Sequence, residues 1–216
     1  MEPALTLYHA PNTRSSSIRI LLEELGAPYV LHPLNMKQGE HRQPAFLAVN
    51  PLGKVPALTD GAALITEQVA IALYLADRFP QAAMAPVLDD PARGPYLRWM
   101  ALYSGAFEPA VIDFGLKRDN SNTTMSPYGA YDAVIDLVEA QLTPGPYLLG
   151  NRFTAADVVW GAALGWTMQS KMVPQRPAFV QYVERLRARP AVIRAHEADT
   201  ALAASQEPPA APATST

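Results

Sequence analysis

The chain has 216 residues, 49% of them hydrophobic and 17% charged, with a formal net charge of -3 at pH 7 and no cysteine. That length holds one large domain or two small ones, and the composition is that of an ordinary globular protein. The absence of a basic block argues against nucleic acid or an anionic membrane as partner, and no apolar run approaches the ~20 residues that span a bilayer.

From the N-terminus, "MEPALTLYHAP" has no basic region followed by an apolar one, so no signal peptide and a cytoplasmic address are expected. "LTLYHA" (Leu5–Ala10) reads as a strand that ends at Pro11. After the polar cluster "NTRSSS", Ile18, Leu21, Leu22 and Leu25 repeat at helical spacing, and Gly26 is a good stop. "PYVLHPLN" (Pro28–Asn35) reads as a second strand, parallel to the first through a right-handed crossover. "MKQGEHRQPAFLAVNP" is turn-rich, with one short helical piece at most. Val55–Thr66 reads as two short strands around Asp60-Gly61. "EQVAIALYLADRFP" is then a helix, stopped by Pro80, that is apolar on nearly every face and so expected to be buried. This order, βαβ followed by ββα, is thioredoxin-like. Residues 81–91, with internal prolines, read as a linker.

The rest reads as all-helical: a long helix bent near Gly105 or Pro109, then Tyr128–Leu142, Thr154–Met168, Pro177–Arg189 and Pro190 to about Ala204. The expected fold is therefore an α/β thioredoxin-like N-terminal domain over residues 1–80 and an all-α C-terminal domain over 92–205. Residues 206–216 read as a disordered Pro/Ala/Thr-rich tail.

Without cysteine there is no disulfide, no thiolate nucleophile and no cysteine metal site, so any thiol chemistry needs a thiol brought by a ligand. His9, His32, His41 and His196 lack zinc-ligand spacing, and no metal is expected. Val55-Pro56 stands where a loop meets a strand, which suits either an edge position or a cis bond. A cis bond would leave the Val55 N–H and C=O for an extended peptide ligand. Glu67-Gln68 opens the apolar helix. Either the free N–H groups there take a ligand carboxylate, with Glu67 taking an ammonium, or Thr66 caps the helix and Glu67 complements its dipole. "FTAADVV" is a capping box, Thr154 with Asp157, and a folding signal. The serines of "NTRSSS" suit an N-cap, for which three in a row look redundant.

Taken together, "LYHAPNTRSSSIRILLEELGAPY", "NPLGKVPAL", the acidic residue opening the next helix and "FTAADVV" are similar to the cytosolic glutathione transferases over nearly the whole chain. The details look most like the bacterial and fungal branch with P-x-[ST]-R-S before its first helix. The resemblance implies a cytosolic homodimer that binds glutathione as co-substrate and conjugates its thiolate to a small hydrophobic electrophile in detoxification. Reduction of organic peroxides would use the same thiolate. It also implies roles for residues. Val55, ahead of cis-Pro56, would pair with the cysteinyl part of glutathione. Glu67 and Gln68 would hold the γ-glutamyl end, and His41 and Lys54 would lie near the glycyl carboxylate. The donor to the sulfur would lie at the start of the first helix: Ser15 first, then Thr13, then Asn12. Tyr96, Trp99, Tyr103, Phe107 and Trp166 would line the electrophile pocket. The alternative is a binding or regulatory protein of the same fold with little catalysis.

Overall fold

A computed structural model describes residues 5–119 and 122–207. Strands β1 (Leu5–His9), β2 (Tyr29–Pro33), β3 (Ala57–Asp60) and β4 (Ala63–Thr66) form one mixed sheet in the order β2-β1-β3-β4. β1 and β2 are parallel, and β3 is antiparallel to both its neighbours. α1 (Ser15–Leu25) and α3 (Gln68–Arg78) bring Ile18, Leu21, Leu22, Ile71 and Leu75 into one core with Leu5, Leu7 and Leu58 of the sheet. α2 (Pro44–Leu47) contributes Phe46 to a smaller cluster with Leu34, Ala57 and Tyr8. Between β2 and α2 stands a 3₁₀ turn, Glu40–Arg42, so the segment holds two short helical pieces where one was expected. Gly26 ends α1 at φ 60, which lets the Ala27 N–H return to the Leu22 carbonyl.

α3 is not buried all round. Gln68, Ile71, Ala72, Leu75 and Ala76 face inward, while Ala70 and Asp77 are exposed, because the helix covers the sheet with one side only. The segment 81–91 carries no helix beyond the turn Pro80–Ala82, yet it is tied down: the Met84 carbonyl accepts from the Ala155 N–H at 2.8 Å.

The helical half comprises α4 (Arg93–Leu102), α5 (Glu108–Gly115), α6 (Tyr131–Leu142), α7 (Ala155–Gln169), α8 (Pro177–Arg187) and α9 (Pro190–Ser205). A π turn, Tyr103–Phe107, joins α4 to α5 at the bend expected near Gly105 and Pro109. α7 is apolar on almost every face and is the central helix, packed on α1, α3, α4 and α8. Its capping box forms: Asp157 Oδ2 accepts from the Thr154 N–H at 2.8 Å and hydroxyl at 3.0 Å. Asp157 Oδ1 accepts from the Leu148 N–H and the Tyr182 hydroxyl, both at 2.8 Å. No helix among the described residues is long and apolar enough to cross a membrane. Of the expected tail, 208–216 lie outside the described residues. Gln206 and Glu207 are held: the Asn35 amide donates to the Gln206 carbonyl at 3.2 Å, and Lys37 pairs with Glu207.

Candidate active site

Three segments leave the sheet at the same end. β1 ends at His9, β3 begins at Ala57 opposite Tyr8, and β4 ends at Thr66 opposite Ala57. The register thus gathers the loop 10–14, Val55-Pro56 and the start of α3 along one edge. Val55-Pro56 is cis, and β3 is an inner strand, which settles the two readings of that proline. The ladder begins at Ala57, so the Val55 N–H and C=O stay outside it and take no hydrogen bond among the described residues.

Glu67 is the N-cap of α3, exposed, with no side-chain cap bond and with φ at 66. Thr66 therefore does not cap the helix. A non-glycine residue at such a φ is held there by its surroundings, and such residues cluster at ligand sites. Gln68 is different: its side chain is buried, donating to Ser17 Oγ at 2.6 Å and accepting from the Tyr103 hydroxyl at 3.1 Å. It is a brace between α1, α3 and the π turn, and only its backbone N–H stays at the helix end. The segment with His41 meets the one with Lys54 through Gly53. At φ 60, a Cβ on Gly53 would lie 2.8 Å from the His41 carbonyl, so only glycine fits. Lys54 is exposed, and His41 Nδ1 is buried without a hydrogen-bond partner.

The three serines are not redundant, because each holds a different element. Ser17 Oγ donates to the Arg14 carbonyl at 3.0 Å and takes the Gln68 amide of α3. Ser16 Oγ donates to Asp199 Oδ2 of α9 at 2.6 Å. Ser15, fully buried, turns back under the loop: Oγ accepts from the Ala10 N–H at 3.1 Å and lies 2.7 Å from Thr13 Oγ1 and 2.8 Å from His9 Nδ1. None of them caps α1; its Ser15 N–H goes to Thr13 Oγ1 at 3.2 Å.

His9 is fully buried because β1 alternates, sending Leu5, Leu7 and His9 to the same side. Its Nε2 lies 3.0 Å from Asp199 Oδ1, within ion-pair distance but outside hydrogen-bond alignment. Asp199 Oδ1 also accepts from Arg19 at 2.6 Å. Burial pushes the Asp199 carboxyl up, but His9, Ser16 and Arg19 outweigh that and hold it below its ordinary value. Ser15 Oγ also lies 3.1 Å from the Ala10 carbonyl, so every acceptor within reach of its proton (that carbonyl, His9 Nδ1 and Thr13 Oγ1) belongs to the protein. Thr13 Oγ1 donates to the Ala10 carbonyl at 2.7 Å. Each hydroxyl has a single proton, and both are committed inside the protein. The expectation that Ser15 comes first as sulfur donor therefore does not match the geometry, and nor does Thr13 as second. Asn12 is exposed, at φ 59, and its amide makes no hydrogen bond among the described residues. Ser, His and Asp are also the residues of hydrolytic triads, but a fully buried Ser15 offers no face to a substrate. His9 and Asp199 escaped the sequence reading, although both sit on legible inward faces; on α9, Val192, Ala195 and Asp199 form one stripe.

The aromatic residues divide. Tyr103, Phe107 and Trp166 line a depression with Glu108, Val111 and Ala163. Tyr96 and Trp99 do not: they belong to the core. Trp99 meets Trp160 edge-on at 5.4 Å, and the Trp160 indole donates to its carbonyl at 3.0 Å. Helical spacing turns Tyr96, Trp99 and Tyr103 inward together, and only the last of these reaches the depression. Arg14 stands at its rim, paired with Glu108 and 5.9 Å from the centre of the Trp166 ring. The Tyr103 hydroxyl lies 3.2 Å from the same Glu108 carboxylate. Burial first, and the Glu108 charge second, hold its pKa well above the ordinary 10.0, so it remains a donor. A second cavity, of about 110 Å³, lies between Asn12 and Pro11 on one side and Ala203 and Gln206 on the other. No group of acidic, histidine or cysteine side chains suited to a metal occurs among the described residues.

This arrangement has close counterparts. The family description "Glutathione S-transferase, N-terminal domain" matches residues 3–77, and "Glutathione S-transferase, C-terminal domain" matches 128–198. Glutathione S-transferase 3 of Zea mays is 30% identical over 209 residues, which cover 87% of this chain and 90% of its own. The crystal structure of a glutathione transferase from Methylococcus capsulatus is 31% identical, with a TM-score of 0.78 over 91% of this chain and 99% of that one. A glutathione transferase homologue from Sulfitobacter, solved with bound glutathione, is 27% identical, with a TM-score of 0.76 over 92% and 99%. The two family matches, on a four-stranded sheet with a cis-proline before an inner strand and a helical half built round a capped central helix, place this chain in the glutathione S-transferase family of enzymes.

Proposed function

We propose that this protein binds glutathione along the sheet edge and conjugates its thiolate to small hydrophobic electrophiles. The observation that carries this is the convergence of the free Val55 backbone, the exposed Glu67 at the α3 N-terminus and Asn12 at one end of the sheet. In this reading the cysteinyl part pairs with Val55 ahead of Pro56. The γ-glutamyl end lies at Glu67 and the Gln68 N–H, and the glycyl carboxylate lies towards Lys54 and His41. The buried Gln68 side chain takes no part. Relatives solved with bound glutathione support the co-substrate.

The protein's task is to raise the thiolate fraction. A free thiol, with a pKa of about 8.5, is only a few per cent ionised at neutral pH. A donor facing the sulfur and the nearby N-terminus of α1 both favour the anion. Asn12 is the preferred donor, because the protons of Thr13 and Ser15 are committed elsewhere. The electrophile approaches along Tyr103, Phe107 and Trp166, where holding both reactants together lowers the barrier. Glu108, which lines the depression, is held there by Arg14. Reduction of an organic hydroperoxide would use the same thiolate. Without cysteine, the resulting glutathione sulfenic acid would be resolved by a second glutathione. The exposed Leu64 of β4 and Leu97 of α4 are consistent with a homodimer.

Calorimetric titration with glutathione, followed by a chlorodinitrobenzene conjugation assay, tests this. Binding in the millimolar range or tighter, with turnover, is expected. Binding without turnover would favour the regulatory reading, and absence of binding would overturn both the site and the activity.

A further inference from the structure

The last helix reaches the reactive end of the sheet through a buried polar chain. Asp199 belongs to the inward stripe of α9, in line with Val192 and Ala195, where an apolar residue would serve docking alone. A carboxylate at such a position is costly unless it is paired. Its partners are specific: Arg19 and Ser16 of α1, and His9 at the end of β1. His9 contacts Ser15 Oγ, and Ser15 Oγ takes the Ala10 N–H and touches Thr13 Oγ1. Asp199 is thus connected, through His9 and Ser15, to both ends of the loop Ala10–Thr13. Asn12 is the one residue of that loop with a left-handed backbone and a free side-chain amide. A loop residue in that conformation keeps its direction only while its flanks are held.

We propose that Asp199 is a positioning residue for the sulfur donor: acting through His9 and Ser15, it fixes the loop that carries Asn12. The last helix thereby tunes the reactivity of a thiol that it does not touch. This inference rests on the glutathione-transferase reading, and the test tells the two failures apart.

The test compares wild type with Asp199→Asn, which keeps the side chain's shape, Asp199→Ala, Ser15→Ala, and the double variant Asp199→Asn/Ser15→Ala. Bound glutathione is titrated by the ultraviolet absorbance of its thiolate, kcat and KM are measured separately, and hydrogen exchange of the Ala10 N–H is followed without ligand. Asp199→Asn should raise the thiol pKa and lower kcat about 10- to 100-fold, the usual cost of losing a supporting contact. KM for glutathione should stay within about twofold, because a supporting contact on the sulfur donor is felt mainly in the transition state. Ala10 should exchange faster. The double variant should fall no further than the worse single one, because both act through one chain of contacts. If Asp199→Asn lowers thermal stability but leaves the thiol pKa, kcat and Ala10 exchange unchanged, Asp199 only docks α9 and the proposal is overturned. If Asp199→Ala does not fold, the Asn variant decides. A wild type that binds no glutathione overturns the functional reading and takes this inference with it. A wild type that conjugates while its Asp199 variants match it overturns the inference alone.

Discussion

Asn12 and Glu67 are both non-glycine residues with positive φ, at 59 and 66, and both stand at the end of the sheet where glutathione is proposed to bind. Asparagine tolerates the left-handed region better than most residues, and glutamate does not. Glu67 is therefore held at a cost of about 1–3 kcal/mol. Glu67→Gly should stabilise the fold by about 1 kcal/mol in a thermal melt, since glycine adopts that φ freely. It should weaken glutathione binding about tenfold, the equivalent of ~1.4 kcal/mol, through loss of the carboxylate. A stability gain with unchanged affinity would remove Glu67 from the site. The sequence shows that an acidic residue opens this helix, but not that the residue caps it in a strained conformation. Side-chain direction was the least legible feature at this scale. The string Ser15-Ser16-Ser17 cannot show that successive helical positions, pointing to different sides, reach three separate partners.

Elements were far more legible than sites. The strand and helix order follows from periodicity and from Gly and Pro punctuation. The helix expected over 154–168 forms as Ala155–Gln169, and the one over 177–189 as Pro177–Arg187. Tyr96 and Trp99 lie in the core, and helical spacing gives their inward face without saying whether core or cavity lies behind it. The motif FTAAD forms the capping box expected of it, and its carboxylate reaches further. Asp157 takes the Leu148 N–H and the Tyr182 hydroxyl as well as Thr154, so one carboxylate joins α7, α8 and the loop before them. Asp157→Ala should cost about 3 kcal/mol, since it strands several buried donors. Glutathione affinity of the protein that remains folded should not change. Denaturant unfolding together with calorimetry checks both, and a change in affinity would mean that the capped helix shapes the site directly.

Across the whole molecule the two halves share one core, running from Leu5 and Leu7 through Ile71 and Trp99 to Trp160. Ion pairs and a hydrogen bond reinforce the junction: Arg189 holds Glu24 at 2.6 and 2.8 Å, and Asp199 pairs with Arg19 and accepts from Ser16. The expected division at residues 81–91 is therefore a change of architecture, and scanning calorimetry should record a single transition. Two resolved transitions would show that the halves unfold independently. Acid should act at the junction. The folded-state pKa of Asp199 lies below its ordinary value of 3.8, so the unfolded chain binds that proton more readily. Its stabilisation is complete above about pH 5, and is lost as pH falls through the folded value. The stability difference between wild type and Asp199→Asn should shrink as pH falls below about pH 4. A difference that grows on acidification would give the pair the opposite sign. What the sequence could not reveal at this scale was that the last helix returns to the first strand, because a contact between His9 and Asp199 leaves no local signature.

The most direct measurement is a pH titration of the thiolate of glutathione bound to wild type and to Asn12→Ala. In wild type the pKa should lie below the free-thiol value of about 8.5. In Asn12→Ala it should move back towards that value, with kcat down about 100-fold for loss of one donor to the anion. A wild-type pKa equal to that of free glutathione, or an Asn12→Ala titration that overlays wild type, would contradict the assignment.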